Sequence, residues 1–206
     1  MKLTPGQIDA DPSLLAAPVE TRQGQRFLVR PLEADDAEGL GIFLDALSDA
    51  TGGVYRPHPL DADQARTLCS QIDRTQCLRF IALGPLAEAP ESDTSRQICA
   101  YMILNLGVRD GEVGRYAEAD LSLEPATTAT FAPVVGDVWQ ERGLGSAMLP
   151  VLIEAARRLG RTQIVLMGGV RDDNPRARHF YTKNGFEWVR SFVAGGIDGH
   201  DMILRL

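Results

Sequence analysis

Several patterns that would announce a function are missing from this chain. Its three cysteines, Cys69, Cys77 and Cys99, make neither a C-x-x-C pair nor an even disulfide set, which excludes a disulfide scaffold and fits a reducing, cytoplasmic setting. No apolar run approaches the roughly 18 residues of a membrane span, and the N-terminus shows no basic region followed by an apolar stretch, so no membrane partner is expected. Positive charge is not in excess either. A net charge of −7 argues against a nucleic-acid surface and favours small or cationic partners. His58, His179 and His200 stand at no ligand spacing to the cysteines, and there is no G-x-S-x-G elbow, so zinc and serine-hydrolase chemistry are set aside and no metal is expected. Internal repeats and low-complexity segments are absent as well.

What is present suffices for one sizeable core: 206 residues, 44% of them hydrophobic. Residues 1–24 carry Pro5, Pro12 and Pro18 and few bulky apolar side chains, which reads as a loose N-terminal arm, with a single domain over 25–206. The run 25–32 is a first strand, and Pro31 with the acidic Glu33-Ala34-Asp35-Asp36 opens a helix through Leu47. A Gly- and Pro-bearing loop with Tyr55, Arg56 and His58 spans 51–60, and a helix is expected over 61–73. Strands follow at 78–83 and 97–107, joined by an acidic solvated turn over 84–96. Between 108 and 130, Arg115, Glu118 and Asp120 alternate with apolar or small neighbours, as in a strand with one polar face. The chain closes on a hairpin, 186–193 with 200–206, around a Gly-Gly-Ile-Asp-Gly turn.

The stretch 131–159, FAPVVGDVWQERGLGSAMLPVLIEAARRL, organises the rest. A β-branched run passes through a glycine-bearing turn directly into an amphipathic helix, in which Leu144, Ala147, Met148, Val151, Leu152, Ala155 and Leu159 define one buried stripe. About four amides at the start of such a helix have no intrahelical partner, and the helix dipole favours an anion there. The spacing excludes two phosphate loops. A dinucleotide fingerprint would need glycine at position 148, which is Met148, and a P-loop would need Lys and Ser or Thr after Gly145, where Ser146 and Ala147 stand. Pro133 suits a strand parting from its neighbour, and Pro150 should bend the helix. Glu141, whose charge opposes phosphate, is expected to point to solvent.

A second signature lies in Asn174-Pro175-Arg176-Ala177-Arg178-His179-Phe180-Tyr181-Thr182-Lys183-Asn184-Gly185-Phe186. An asparagine cap and a proline at the first helical position open about three turns of helix, and Asn-Gly closes them. Asn174 and Tyr181, two turns apart, share a face.

Gln140, Gly143 and Gly145 stand in the order Gln/Arg-x-x-Gly-x-Gly/Ala, and the second segment follows Asn-x-x-Ala-x-x-x-Tyr-x-x-x-Gly-Phe. Together they resemble the two signatures of the GCN5-related N-acetyltransferase (GNAT) superfamily, and the resemblance covers about 26–206. It implies a GNAT-type α/β fold, a mixed central sheet of about seven strands flanked by helices, with acetyl-CoA as co-substrate. It further implies that loop amides around Gln140, Arg142, Gly143, Leu144, Gly145 and Ser146 hold the pyrophosphate, that Val134 and Val135 pair with pantetheine and polarise the acetyl carbonyl, and that Asn174 touches the pantetheine arm. Arg142 and Lys183 would neutralise phosphates. Tyr181 would be the general acid beside the thioester sulfur, and Glu118, then Asp120, the candidates for the base, acting directly or through water. The resemblance leaves the acceptor open among small-molecule and peptide amines, with polyamines, aminoglycosides and basic peptide ends about equally suited to the acidic balance. A homodimer is possible, the C-terminal hairpin being a plausible contact.

Overall fold

The computed structural model describes residues 2–85 and 97–206. In chain order the elements are α1 (Pro5–Ala10), β1 (Ala17–Glu20), β2 (Arg26–Pro31), α2 (Ala37–Asp45), α3 (Asp49–Val54), α4 (Ala62–Ser70), β3 (Cys77–Leu83) and β4 (Ile98–Asn105). They continue with α5 (Asp110–Ala117), β5 (Thr128–Val135), α6 (Leu144–Arg158), β6 (Gln163–Leu166), β7 (Val170–Arg171), α7 (Pro175–Lys183), β8 (Glu187–Ala194) and β9 (Ile197–Arg205). The described strands form one nine-stranded sheet in the order β1-β2-β3-β4-β5-β6-β9-β7, with β8 also on β9. All pairings are antiparallel except that of β5 with β6. The mixed α/β architecture is the expected one.

Successive side chains of a strand point to opposite faces, so the central strands build two cores at once. Leu78, Phe80 and Ala82 of β3, with Met102 and Leu104 of β4, pack under α6 and α7. Cys77 and Ile81, Tyr101 and Ile103, and Val134 of β5 pack under α2, α3 and α4. Helix α6 buries Leu144, Met148, Leu149, Leu152, Ala155 and Ala156, a stripe turned slightly from the expected one, with Ala147 and Val151 at its edge. Pro150 lies on the exposed side and the helix continues through it.

Two expectations are corrected. Of the segment read as a loose arm over 1–24, residues 2–24 are ordered into elements packed on the core. Thr4 and Gln7 form a capping box that starts α1, Asp11 caps a short 3₁₀ turn, and β1 pairs with β2. Three apolar side chains, Leu3, Ile8 and Leu15, are enough to join this segment to the main core, and the Leu3 amide donates to the Arg158 carbonyl at 2.8 Å. Because Ile8 is fully buried, Ile8→Ala is expected to lower unfolding free energy by about 2–5 kcal/mol, as cavity-forming core truncations do. A denaturant midpoint equal to wild type would show the segment to be dispensable.

The second correction concerns 108–130. Instead of a strand, Asp110–Ala117 is helical and Glu118 is its C-cap. The carboxylate of Glu112 accepts from the Arg109 amide at 3.1 Å, which caps the helix, and Asp110 and Glu112 favour its N-terminus. Tyr116 is buried with Val113 packed beside it, three residues apart rather than two, and its hydroxyl donates to the Met202 carbonyl at 2.7 Å. The turn expected over 84–96 lies, from residue 86 on, outside the described residues. Within 51–60, read as a loop, Asp49–Val54 is a short helix capped by Ser48.

Candidate active site

The site is made where β5 and β6 part. Their parallel pairing ends at Phe131 and Leu166, after which the Met167 amide donates to the Phe131 carbonyl at 2.9 Å. β5 runs on beside β4 to Val135, so one edge of its last four residues is open. The direction of each group on that edge follows from alternation. The Gly136 amide donates to the Cys99 carbonyl on β4 at 2.9 Å, and Phe131 faces β6, so the backbone groups of Val134 pair with Tyr101 of β4 while those of Pro133 and Val135 face the opening. Pro133, which has no amide proton, stands where no ladder bond is lost. The Val135 carbonyl accepts from Gln140 Nε2 at 2.9 Å, which leaves the Val135 amide and the Pro133 carbonyl directed into the opening.

Below this edge starts α6. Gly143 is its N-cap at φ 88°, and Glu141 two residues earlier has φ 61°, so the turn needs left-handed backbone twice. The first helical bond runs from the Ala147 amide to the Gly143 carbonyl at 3.0 Å, and among the described residues no side chain caps the helix. The amides ahead of Ala147 therefore carry the unpaired positive end of a 15-residue helix. A Cβ on Gly145 would come within 3.2 Å of Phe180 and 3.5 Å of Val135, so a side chain there would fill the gap between helix and strand.

Helix α7 supplies the other wall. Asn174 Oδ1 caps it by accepting from the Ala177 amide at 3.0 Å, Pro175 opens it, and Tyr181 is presented toward β5. The Tyr181 ring is held by Phe131, Phe180 and Phe186 at centroid distances of 6.4, 5.3 and 5.2 Å. Its burial raises the phenol well above the ordinary tyrosine range, so the group is held protonated. Strand edge, helix start and phenol line one cavity of about 940 Å³. That is within the range of roughly 300–1,000 Å³ typical of ligand pockets.

Of the residues singled out from the sequence, the cavity brings together Val134, Val135, Gln140, Gly143, Leu144, Gly145, Ser146, Asn174, Tyr181 and, at its exposed rim, Lys183. Arg142 is outside that lining; its guanidinium lies 5.4 Å from the Trp139 ring. Glu141 is exposed at the cavity lip. Glu118 and Asp120 are not brought together with Tyr181. Glu118 is exposed and ion-paired with Arg190, and Asp120 sits in an exposed turn at φ 56°, neither of them lining the cavity.

No pattern in the sequence pointed to a network that ties α3 to the turn before α6. Asp137 accepts from the Ser48 amide at 2.9 Å, from Ser48 Oγ at 2.8 Å and from Thr51 Oγ1 at 2.6 Å, and Gln140 Nε2 donates to Thr51 Oγ1 at 3.1 Å. These contacts tie α3 to the turn before α6 across almost 90 residues. Partial burial by itself would raise the Asp137 carboxyl, but the bonds from Ser48 and Thr51 outweigh it and hold the group below its ordinary range. The network's contribution to stability is thus fully present above the ordinary aspartate pKa and is lost as pH falls through the lowered value. Asp137→Asn is expected to lower stability by about 1 kcal/mol at neutral pH, solvent screening included, with the difference from wild type vanishing in strong acid. A pH-independent difference in denaturant unfolding would refute that account.

Known structures share this fold. The GNAT domain of S. lividans PAT superposes with a TM-score of 0.72 at 24% identity, over 95% of this chain and 99% of that one. yncA of Salmonella typhimurium, solved with its cofactor acetyl-CoA, gives 0.59 at 17% identity over 87% and 93%. AAC(6')-Ib, in complex with ribostamycin and coenzyme A, gives 0.59 at 16% over 86% and 92%. At these identities the likeness shows a common fold. No curated protein matches the sequence. The model of the acetyltransferase (GNAT) family matches residues 80–186, more than half of the chain and the part that holds both walls of the cavity, and the chain therefore belongs to that family.

Proposed function

We propose that this protein transfers an acetyl group from acetyl-CoA to a primary amine, on a small molecule or a peptide, by direct attack in a ternary complex. The observation that carries the reading is the meeting, in one cavity, of an uncapped helix start, an open strand edge and a protonated tyrosine. The residues fit the co-substrate. Gly143 and Gly145 keep side chains out of the turn, and the amides ahead of Ala147 have no other partner among the described residues, as a pyrophosphate site requires. The Pro133 carbonyl and the Val135 amide can pair with an extended amide-bearing arm as a further strand would. When bound, acetyl-CoA supplies an activated acetyl thioester. The Val135 amide is then the donor available to polarise the acetyl carbonyl, and Val134, whose backbone is paired with β4, acts by packing. Tyr181 donates its proton to the departing sulfur.

One observation favours a second reading, a coenzyme A-binding sensor or scaffold without turnover. Neither Glu118 nor Asp120 lines the cavity, and Glu141 is the one carboxylate among the described lining residues, so the acceptor amine would lose its proton to water. Release of free thiol from acetyl-CoA in the presence of a broad amine panel separates the two. Binding of acetyl-CoA without amine-dependent thiol release would establish the silent module.

A further inference from the structure

The charge of the cavity is opposite to that of the protein. Against a net charge of −7, the lining carries, among the described residues, Arg56, Arg109, Arg171, Arg176 and Lys183 and one carboxylate, Glu141. Lys183 closes α7 beside Asn184, whose Nδ2 donates to Ser146 Oγ at the start of α6 where phosphates would be held; Arg176 is in the first turn of α7, and Arg171 is paired with Asp173. Arg56 and Arg109 come from other elements, the segment after α3 and the start of α5. Arg56 Nε donates to the Gly52 carbonyl at 3.3 Å, which leaves both its Nη groups without a carboxylate among the described residues. Arg109 uses Nε and Nη2 on Glu112, at 3.3 and 2.9 Å, and its Nη1 is uncommitted there. The same Glu112, itself buried, accepts from the Gly168 amide at 3.2 Å, which fixes this arginine beside the 167–169 turn that lines the cavity.

These two lining arginines offer nothing to a cationic tail. A polyamine or an aminoglycoside would bring positive charge against Arg56, whose Nη groups meet no carboxylate among the described residues, and against Arg109, whose one carboxylate, Glu112, is buried and already engaged, whereas the guanidinium fork matches the geometry of a carboxylate or a phosphate. Resting on the acetyl-transfer reading, we infer that the acceptor carries an anionic group, carboxylate or phosphate, in addition to its reactive amine, and that Arg56 and Arg109 hold that group. The overall acidic balance, which by itself suits cationic acceptors, is a property of the outer surface and not of the cavity.

The test compares matched acceptors with purified full-length protein: free amino acids against their amides, phosphoethanolamine against ethanolamine, and spermidine as the cationic arm. The inference expects kcat/KM for the anionic member of one pair to exceed that of its neutral partner by about tenfold or more, the size of a charge-assisted hydrogen bond. Which pair shows the preference tells carboxylate from phosphate. Arg56→Gln and Arg109→Gln should each bring the anionic member down toward its partner by raising its KM, with KM for acetyl-CoA unmoved. Equal or better turnover of the neutral members or of spermidine overturns the inference, as does an anionic preference that survives both substitutions. If acetyl-CoA binds and no amine releases thiol, the transfer reading fails, and calorimetric titration then decides the inference separately. With coenzyme A present, tighter binding of the anionic member that Arg56→Gln abolishes sustains it, and equal affinity overturns it.

Discussion

Tyr181→Phe is expected to lower kcat by about 10²–10⁴-fold, the usual worth of a well-placed proton donor, while KM for acetyl-CoA and the unfolding midpoint stay near wild type. The separation follows from the packing. The ring is held by Phe131, Phe180 and Phe186, and the hydroxyl makes no hydrogen bond among the described residues, so phenylalanine preserves every contact except the one toward substrate. The change in stability should stay within about 0.5 kcal/mol. Because burial raises the phenol, wild-type kcat should show no loss through ionisation of this group until pH passes above the ordinary tyrosine value. Steady-state kinetics against pH, for wild type and variant, check both statements. A variant that keeps more than about a tenth of wild-type kcat would mean that the leaving sulfur takes its proton from elsewhere.

Gly143→Val is expected to abolish acetyl-CoA binding. At φ 88° the residue is in a region that is sterically poor for any Cβ and a genuine outlier for a β-branched side chain. Thr21 and Arg22 of the turn after β1 would be in ordinary van der Waals contact with the Cβ, at 3.8 and 3.9 Å, so the strain is in the backbone itself. Valine therefore forces the turn to rebuild, which redirects the amides at the start of α6. Wild-type protein with acetyl-CoA at about 100 times its dissociation constant should gain roughly 2.7 kcal/mol of stability, and the valine variant none. Gly143→Asn sharpens the test, since asparagine visits left-handed backbone far more readily and should retain part of the shift. If acetyl-CoA gives no shift in wild type, or the same shift in the valine variant, this turn does not hold it.

The two signatures were legible because each is a local device. A glycine where φ must be positive, an asparagine cap followed by proline, and a tyrosine two turns further on all act within a dozen residues, and the structure puts Gly143, Asn174 and Tyr181 where such local rules require. The base candidates failed for the opposite reason. Arg115, Glu118 and Asp120 alternate like a strand, yet a cap from Glu112 and the burial of Tyr116 against β9 chose a helix, which turns Arg115 to the buried Asp201, ends on Glu118 and leaves Asp120 in the turn beyond. Residues 1–24 were misread by composition. Few apolar residues are enough when Leu3, Ile8 and Leu15, with Val19 packed beside them, reach the same core.

The sequence by itself determined the family, the helix start that can receive a phosphate and the identity of the candidate acid, since all three depend on spacing along one strand, one turn and one helix. Only the tertiary structure decided which backbone groups of β5 are open, because that depends on where β6 leaves it. It alone joined Ser48 and Thr51 to Asp137, and it alone set Arg56 and Arg109 in the lining of the cavity while leaving Glu118 and Asp120 outside it. Contacts between residues some 50 to 90 positions apart are chosen by the packing of whole elements on the sheet, and no local pattern records that choice.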